Sequence, residues 1–280
     1  MRPRSCLLPL LLAPFTLTPV RAQVTDQLNY QPEVDSAQSC RIEEVLPRVT
    51  LHVKEIVDNV NRFTATEFLE RERLNHRGDL KEKAHSRSNY VATIEETKPG
   101  IFVVREYRFG TQGLQNFDGT IQANVAPALV LIFHPSHIGE FAMTCVGRRE
   151  WHQHSTWQVH FEQRMDQPAT MADFEVGGGE FTILLKGSAW IDTNSYEILH
   201  LETDLLKPIP EIQLDTLHQS VDYGPVKFPQ RDTTLWLPQF ADVTADFRGR
   251  RLLERHTYSQ FQLFSIDTKQ KISNPNDGSN

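Results

Sequence analysis

Three cysteines in 280 residues are too few to build a disulfide scaffold, and a chain this long can bury a core without one. Positive charge is short as well. Thirty-six acidic residues against 29 basic ones leave a formal charge of −7, which argues against non-specific binding to nucleic acid or to anionic lipid surfaces. Several catalytic signatures are missing: there is no Gly-x-Ser-x-Gly elbow, no His-Glu-x-x-His, no P-loop and no dinucleotide fingerprint. What remains is the mixture of a globular chain, 39% hydrophobic and 23% charged, too apolar for disorder and too charged for a bundle of membrane helices. Sixteen Phe, six Tyr and four Trp supply bulky material for a core.

The N-terminus is built for export. Arg2 and Arg4 precede the apolar stretch Leu7–Phe15, and Val20 and Ala22 fit the −3 and −1 positions of a cleavage site, so residues 1–22 read as a signal peptide cut before Gln23. Pro9, Pro14 and Pro19, and the lack of the ~20 apolar residues a span requires, disfavour an anchoring helix. Cys6 precedes the apolar run and does not resemble a lipid-modified cysteine. No later stretch is apolar enough to span a bilayer, which predicts a soluble mature chain, periplasmic or secreted. Cleavage removes three arginines and no acid, taking the charge from −7 to −10. It leaves Cys40 and Cys145, which in an oxidising compartment can pair or remain two buried thiols. The expectation is a Cys40–Cys145 bridge from the start of the long helix to the strand region after Phe141. Closing a loop of about a hundred residues constrains the unfolded chain by roughly 4–5 kcal/mol.

Residues 23–41 are polar and read as a flexible arm. Then the period becomes helical: Ile42, Val45, Val49, Val53, Ile56 and Val60 recur at three- and four-residue steps. Pro47 either begins the main helix or kinks a longer one. From Phe63 the period is mostly two. Strands are expected at Thr64–Leu74, Ser88–Thr97, Ile101–Phe109, around Trp157–Phe161, from Phe181 to Leu185, at Leu199–Leu205, Ile212–Tyr223, Thr233–Phe247 and Leu252–Ile266. Turns fall at His76–Asp79, Lys98–Gly100, Trp151–His154, Thr193–Ser195 and Asp246–Arg250. The continuous apolar run Pro127–Phe133 predicts a short buried helix ending before Pro135. Residues 268–280 read as a disordered tail.

About ten strands at hairpin spacing, with no βαβ rhythm and no internal repeat, predict a mainly β fold. It is a single curved antiparallel sheet, a half-open barrel over residues 42–267, covered by one long and one short helix. An outer-membrane barrel is the rival for alternating strands in an exported chain. Against it, both strand faces carry charge in Thr64–Leu74 and Val243–Phe247, and no aromatic girdle can be traced.

Two local patterns sharpen this. Gly187-Ser188-Ala189-Trp190-Ile191-Asp192 followed by Glu197-Ile198-Leu199-His200-Leu201-Glu202 is similar to a hairpin that recurs in the LolA-like superfamily of periplasmic lipoprotein carriers and sensors. Leu235-Trp236-Leu237-Pro238-Gln239 is similar to that superfamily's later strand and Leu-Pro turn. The resemblance covers roughly Glu43 to Ile266. The whole mature chain also resembles a family of uncharacterised secreted bacterial proteins. The superfamily resemblance implies an apolar cavity between sheet and helices that holds acyl chains. No position here matches the carriers' cargo-contacting arginine, so no ligand residue is carried over.

Candidate cavity residues are the bulky members of dry strand faces and of the buried run: Leu129, Phe133, Trp157, Phe161, Trp190, Leu201 and Trp236. The same residues serve a solid core equally well. An elongated pocket of roughly several hundred cubic ångströms is expected over the concave face. His134, His137, His152, His154 and His160 cluster in sequence with Glu140 and Glu150, but they fall in a helix exit and a turn, where convergence on a metal is not expected. The Gly177–Gly179 run precedes a strand, so it forms a hairpin and not a phosphate cradle. The expected function is non-enzymatic binding of an apolar ligand, a lipid or the acyl chains of a lipoprotein, with no cofactor. The alternatives are an envelope sensor or assembly partner that uses the sheet surface, and a metal-dependent hydrolase using the histidines.

Overall fold

The computed structural model describes residues 40–59, 62–99, 101–113, 122–123, 129–169, 173–176, 179–229 and 232–263. The expected signal peptide, most of the arm, the tail and glycines 177 and 178 lie outside the described residues.

The chain enters through one helix, α1 (Ile42–Asn59). The Arg41 carbonyl accepts the first N–H groups, from Glu44 at 3.0 Å and Val45 at 3.2 Å. Glu43 and Glu44 lie in the first turn, where the helix dipole favours negative charge. The apolar stripe is buried as its spacing predicts: Val45, Val49, Val53, Ile56 and Val57 all face the core. Pro47 lies inside α1, so the longer of the two expected helices is the one that forms.

Thirteen strands follow among the described residues, in chain order β1 (Arg62–Leu74), β2 (Leu80–Lys98), β3 (Ile101–Gln112), β4 (Gln122–Ala123), β5 (Phe141–Trp151), β6 (His154–Gln163), β7 (Asp173–Val176), β8 (Gly179–Thr182), β9 (Leu185–Asp192), β10 (Ile198–Leu205), β11 (Leu214–Phe228), β12 (Thr233–Phe247) and β13 (Arg250–Leu263). Ten form one open sheet in the order β3-β2-β1-β13-β12-β11-β10-β9-β6-β5; every pairing is antiparallel. Strands β4, β7 and β8 make a small second sheet, tied to the first where Phe174 packs 5.6 Å from Phe247.

Strand order explains the continuous apolar run. The chain leaves edge strand β3 and returns as the opposite edge strand β5, so the connection has to cross the sheet. Its 3-10 helix Leu129–Phe133 is buried at all five positions. A segment enclosed on every side shows no amphipathic period. Phe102 of β3 packs 4.5 Å from His134, just past this segment, so one edge of the sheet contacts the crossing connection.

The disulfide forms. Cys40, just before α1, bonds Cys145 of β5, with Cα atoms 5.6 Å apart and 105 residues between them in sequence. The other end of α1 runs within three residues into β1. A helix of this length, about 27 Å at 1.5 Å per residue, is therefore held at both ends over the concave face.

Three expected boundaries differ. Strand β2 begins at Leu80 and not Ser88, because residues 80–87 are polar on both faces and are held by cross-strand charge pairs such as Arg73–Glu82 (2.8 Å) and Lys83–Glu72 (2.7 Å). The expected strand Phe181–Leu185 is broken: β8 ends at Thr182 in the small sheet and β9 begins at Leu185, whose N–H donates to the Gln163 side chain. Residues 210–212 form a 3-10 turn and Gln213 has φ +59°, so β11 starts at Leu214.

The hairpin that resembles the LolA-like pattern has a physical reason for its residues. The Asp192 carboxylate accepts the N–H groups of Asn194 and Ser195, both at 2.8 Å, which closes the turn after the Trp-x-Asp sequence. A Cβ at Gly187 would lie 1.9 Å from the Glu202 carbonyl oxygen and 2.8 Å from Phe161, so only glycine lets β9, β10 and that ring meet.

Candidate functional site

The inward face of the sheet has two unlike regions. Strands β5, β6, β9, β10 and β11 turn Phe141, Val159, Phe161, Leu185, Ala189, Ile191, Leu201, Leu217 and Val221 inward, all buried. Helix α1 and the segment Leu129–Phe133 roof this region. A narrow apolar cleft runs along α1, lined by Val49, Val53 and Ile56 on the helix and by Val130, Tyr196, Ile198, Tyr223 and Trp236 opposite. Its volume is about 10 Å³, room for about one water. The larger pocket expected from the sequence is not open here among the described residues, because the α1 valines and the five-residue segment fill the concave face.

Two polar contacts close the mouth of the cleft. His52 Nδ1 of α1 lies 3.2 Å from Glu197 Oε1, and the Arg48 guanidinium sits 4.6 Å above the Tyr196 ring. Burial, together with the carboxylates of Glu55 and Asp192, pushes the Glu197 carboxyl up to about 7. When protonated it can donate to the His52 ring, and when ionised it accepts from it.

Leu129, Phe133, Phe161 and Leu201 are buried in the wall and roof of the apolar region, with the Phe133 ring 5.9 Å from Phe161. Trp236 lines the cleft, and Trp157 packs half-buried against the core. Trp190 is misplaced as a cavity residue. The alternation that turns Ala189 and Ile191 inward turns Trp190 to the opposite face. There it lies 5.4 Å from Trp151 and 4.9 Å from His200, and His200 stacks on Trp151 at 3.9 Å. His200 is bonded by both ring nitrogens, to Asp222 (2.6 Å) and Glu202 (3.0 Å). Burial opposes its charge, but these bonds raise its pKa.

The clustered histidines disperse. His134 and His137 sit in the turn after the buried segment, with His137 bonded to Glu140 at 2.9 Å. His154 reaches Asp192 at 3.2 Å, His152 lies beside Trp151, and His160 is exposed. Among the described residues no group of three potential ligands converges.

The other region is charged, and the strand pattern concealed it. Strands β1, β2, β3 and β13 turn Glu67, Arg71, Ser88, Tyr90, Glu106, Arg108, Glu254, His256 and Tyr258 inward. Glu67 is the hub: it accepts from Arg108 at 2.7 and 2.8 Å, from His256 at 2.9 Å and from Ser88 at 3.0 Å. Burial alone would raise its pKa, but the bonds from His256 and Arg108 outweigh that and hold it down at about 2. Arg71 pairs with Glu254 at 2.7 Å, and Arg108 also reaches Glu106 at 3.1 Å. His256 is disfavoured by burial, yet its bonds to Glu254 and Glu67 raise its pKa. Burial pushes the Glu106 carboxyl up. The signal that could have revealed this region is the phase of β1, in which Phe63, Ala65, Glu67, Leu69 and Arg71 share one face.

No family model matches the chain, and no curated protein matches it. Solved structures do. A DUF1329 family protein from Desulfovibrio piger is 9% identical, covering 80% of this chain and 94% of that one, with a TM-score of 0.43. An outer membrane lipoprotein-sorting protein domain from Vibrio parahaemolyticus is 10% identical over 81% and 94%, at 0.41. A LolA superfamily protein from Nitrosomonas europaea is 10% identical over 81% and 96%, at 0.36.

Proposed function

We propose that this protein is an exported, non-enzymatic binding protein that takes an apolar ligand, a lipid or the acyl chain of a lipoprotein, between α1 and the concave face of the sheet. The observation that carries this reading is the apolar cleft along α1. The concave face is roofed by one helix and one short segment, and the seam between roof and sheet is lined almost wholly by aliphatic and aromatic side chains. Each methylene moved from water into that seam contributes about 0.8 kcal/mol. The buried α1 valines are chemically equivalent to methylenes, so a chain that displaces part of them loses little packing. Cys40–Cys145 and the short link to β1 keep the helix attached while it shifts. Leu129, Phe133, Phe161 and Leu201 would form the floor and roof of the opened site, with Trp236 at its seam.

The disulfide belongs to an oxidising compartment, which supports a periplasmic or secreted location after cleavage before Gln23. N-terminal sequencing of the exported protein should begin at Gln23. Native mass spectrometry of protein purified without detergent tests the binding itself. The expected spectrum carries a co-purified lipid mass that disappears after organic extraction. A spectrum of bare protein that stays bare after incubation with fatty acid would refute the reading.

The opposite face supports a second reading, docking to an envelope protein. Trp151 and Trp190 flank His200 there, and aromatic anchors suit protein interfaces. Trp151→Ala with Trp190→Ala separates the two: it should spare lipid binding and abolish docking.

A further inference from the structure

We propose that the charged region of the concave face is the headgroup end of the ligand site, and that it selects an amphiphile whose polar end is uncharged, a hydroxyl- or ester-bearing headgroup of the monoacylglycerol class. This rests on the acyl-chain reading of the apolar region.

The charges in this region are already engaged with one another. Glu67 accepts from Arg108, His256 and Ser88, Arg71 faces Glu254, and Arg108 also faces Glu106. No cation of the cluster is left over for a phosphate or a carboxylate ligand. In this region the buried side-chain atoms that lack a partner and do not belong to a charged pair are the hydroxyls of Tyr90 and Tyr258. Tyr90 and Tyr258 are 0% and 4% exposed, with ring centroids 5.0 Å apart. Both hydroxyls lie within the electrostatic reach of Glu106, whose carboxyl burial drives toward the protonated form.

Two phenols offer donors and acceptors without net charge. An alcohol or ester matches them, because a hydroxyl both donates and accepts. An anion would have to enter without a counter-charge, at high cost in a buried site. The Tyr90 ring also touches the apolar side: Phe63 lies 6.0 Å away, and Phe261 lies 6.0 Å beyond Phe63. Phe63, Tyr90, Tyr258 and the residues of the α1 cleft belong to one continuous core. A single amphiphile can therefore place its chain under α1 and its head against the two tyrosine hydroxyls.

The test compares monoolein with oleate, which carry the same chain under different heads, by displacement of a fluorescent fatty acid from the mature protein. Monoolein should bind about tenfold more tightly, the effect of one or two neutral hydrogen bonds. The Tyr90→Phe/Tyr258→Phe double variant should lose that preference while its oleate affinity stays unchanged. Glu106→Gln keeps the shape of the side chain and leaves both tyrosine hydroxyls in place, so it should retain the preference. Equal binding of monoolein and oleate by the wild type, or tighter oleate binding, overturns the headgroup assignment alone. A double variant that keeps the preference, or a Glu106→Gln variant that loses it, overturns it as well. If neither probe displaces the fluorescent ligand because no chain binds at all, the acyl-chain reading fails and takes this one with it.

Discussion

The two halves of the concave face are both largely buried and are held by opposite means. Under α1, packing of Val49, Val53, Phe133, Phe161 and Leu201 is non-directional, so a similar apolar surface can replace any part of it. On β1, β2, β3 and β13, Glu67, Arg108 and His256 bond at fixed angles, and removing one partner strands a charge. One half is suited to exchange its contents. The other is suited to hold a geometry. On the proposed reading, the asymmetry puts adaptability beneath the helix and specificity at the far end of the sheet.

The largest expected effect breaks the rigid half. Glu67→Leu leaves Arg108 and His256 buried beside no hub carboxylate and should cost about 3–5 kcal/mol, read from urea denaturation. A smaller loss than that of a single buried methylene would mean the charges relax to solvent.

Next in size is the tether of the adaptable half. Cys40→Ser with Cys145→Ser should lower stability by about 4 kcal/mol. Amide exchange should speed up in α1 more than in β1 and β13. Uniform acceleration across all three would show that the disulfide acts on the whole domain and not on the roof.

A smaller effect separates the halves by pH. The pKa of Glu197, at the mouth of the cleft, is raised from 4.5 to about 7. Its contribution is full below pH 4.5 and is lost as pH rises toward 7, by at most about 3 kcal/mol. Glu67 is the reverse: lowered to about 2, it contributes fully above pH 4.5 and that contribution is lost as pH falls through 2. Thermal melts should therefore show Glu197→Gln gaining stability relative to the wild type between pH 5 and 8. No difference between the two profiles in that window would place the Glu197 carboxyl in solvent. The smallest effect is on the outer face, where Trp190→Ala should cost less than Phe161→Ala, since Trp190 is only half-buried.

Much of this architecture was legible because its signals are local. The α1 stripe, the His76–Asp79 and Thr193–Ser195 turns, the Thr233–Phe247 strand and the buried run before Pro135 all follow from spacing within a dozen residues. The cysteine pair was legible from compartment and count. The charged region was not, because an inward Glu67 between Ala65 and Leu69 looks like any solvated strand charge until Arg108 and His256 arrive from distant strands. Trp190 was misread on its bulk, although Ala189 and Ile191 on either side already fix it on the outer face. The filled cleft was beyond spacing altogether, since residual volume depends on how α1 and Leu129–Phe133 pack against the sheet together.

The central claim is that the seam beneath α1 opens to an acyl chain. Titration of the mature protein with cis-parinaric acid, a naturally fluorescent fatty acid, measures this directly. Saturable binding of about one probe per chain is expected, with weaker binding in Trp236→Ala at unchanged fold. A wild-type titration that never saturates, or a Trp236→Ala variant that binds as tightly as the wild type, would contradict it.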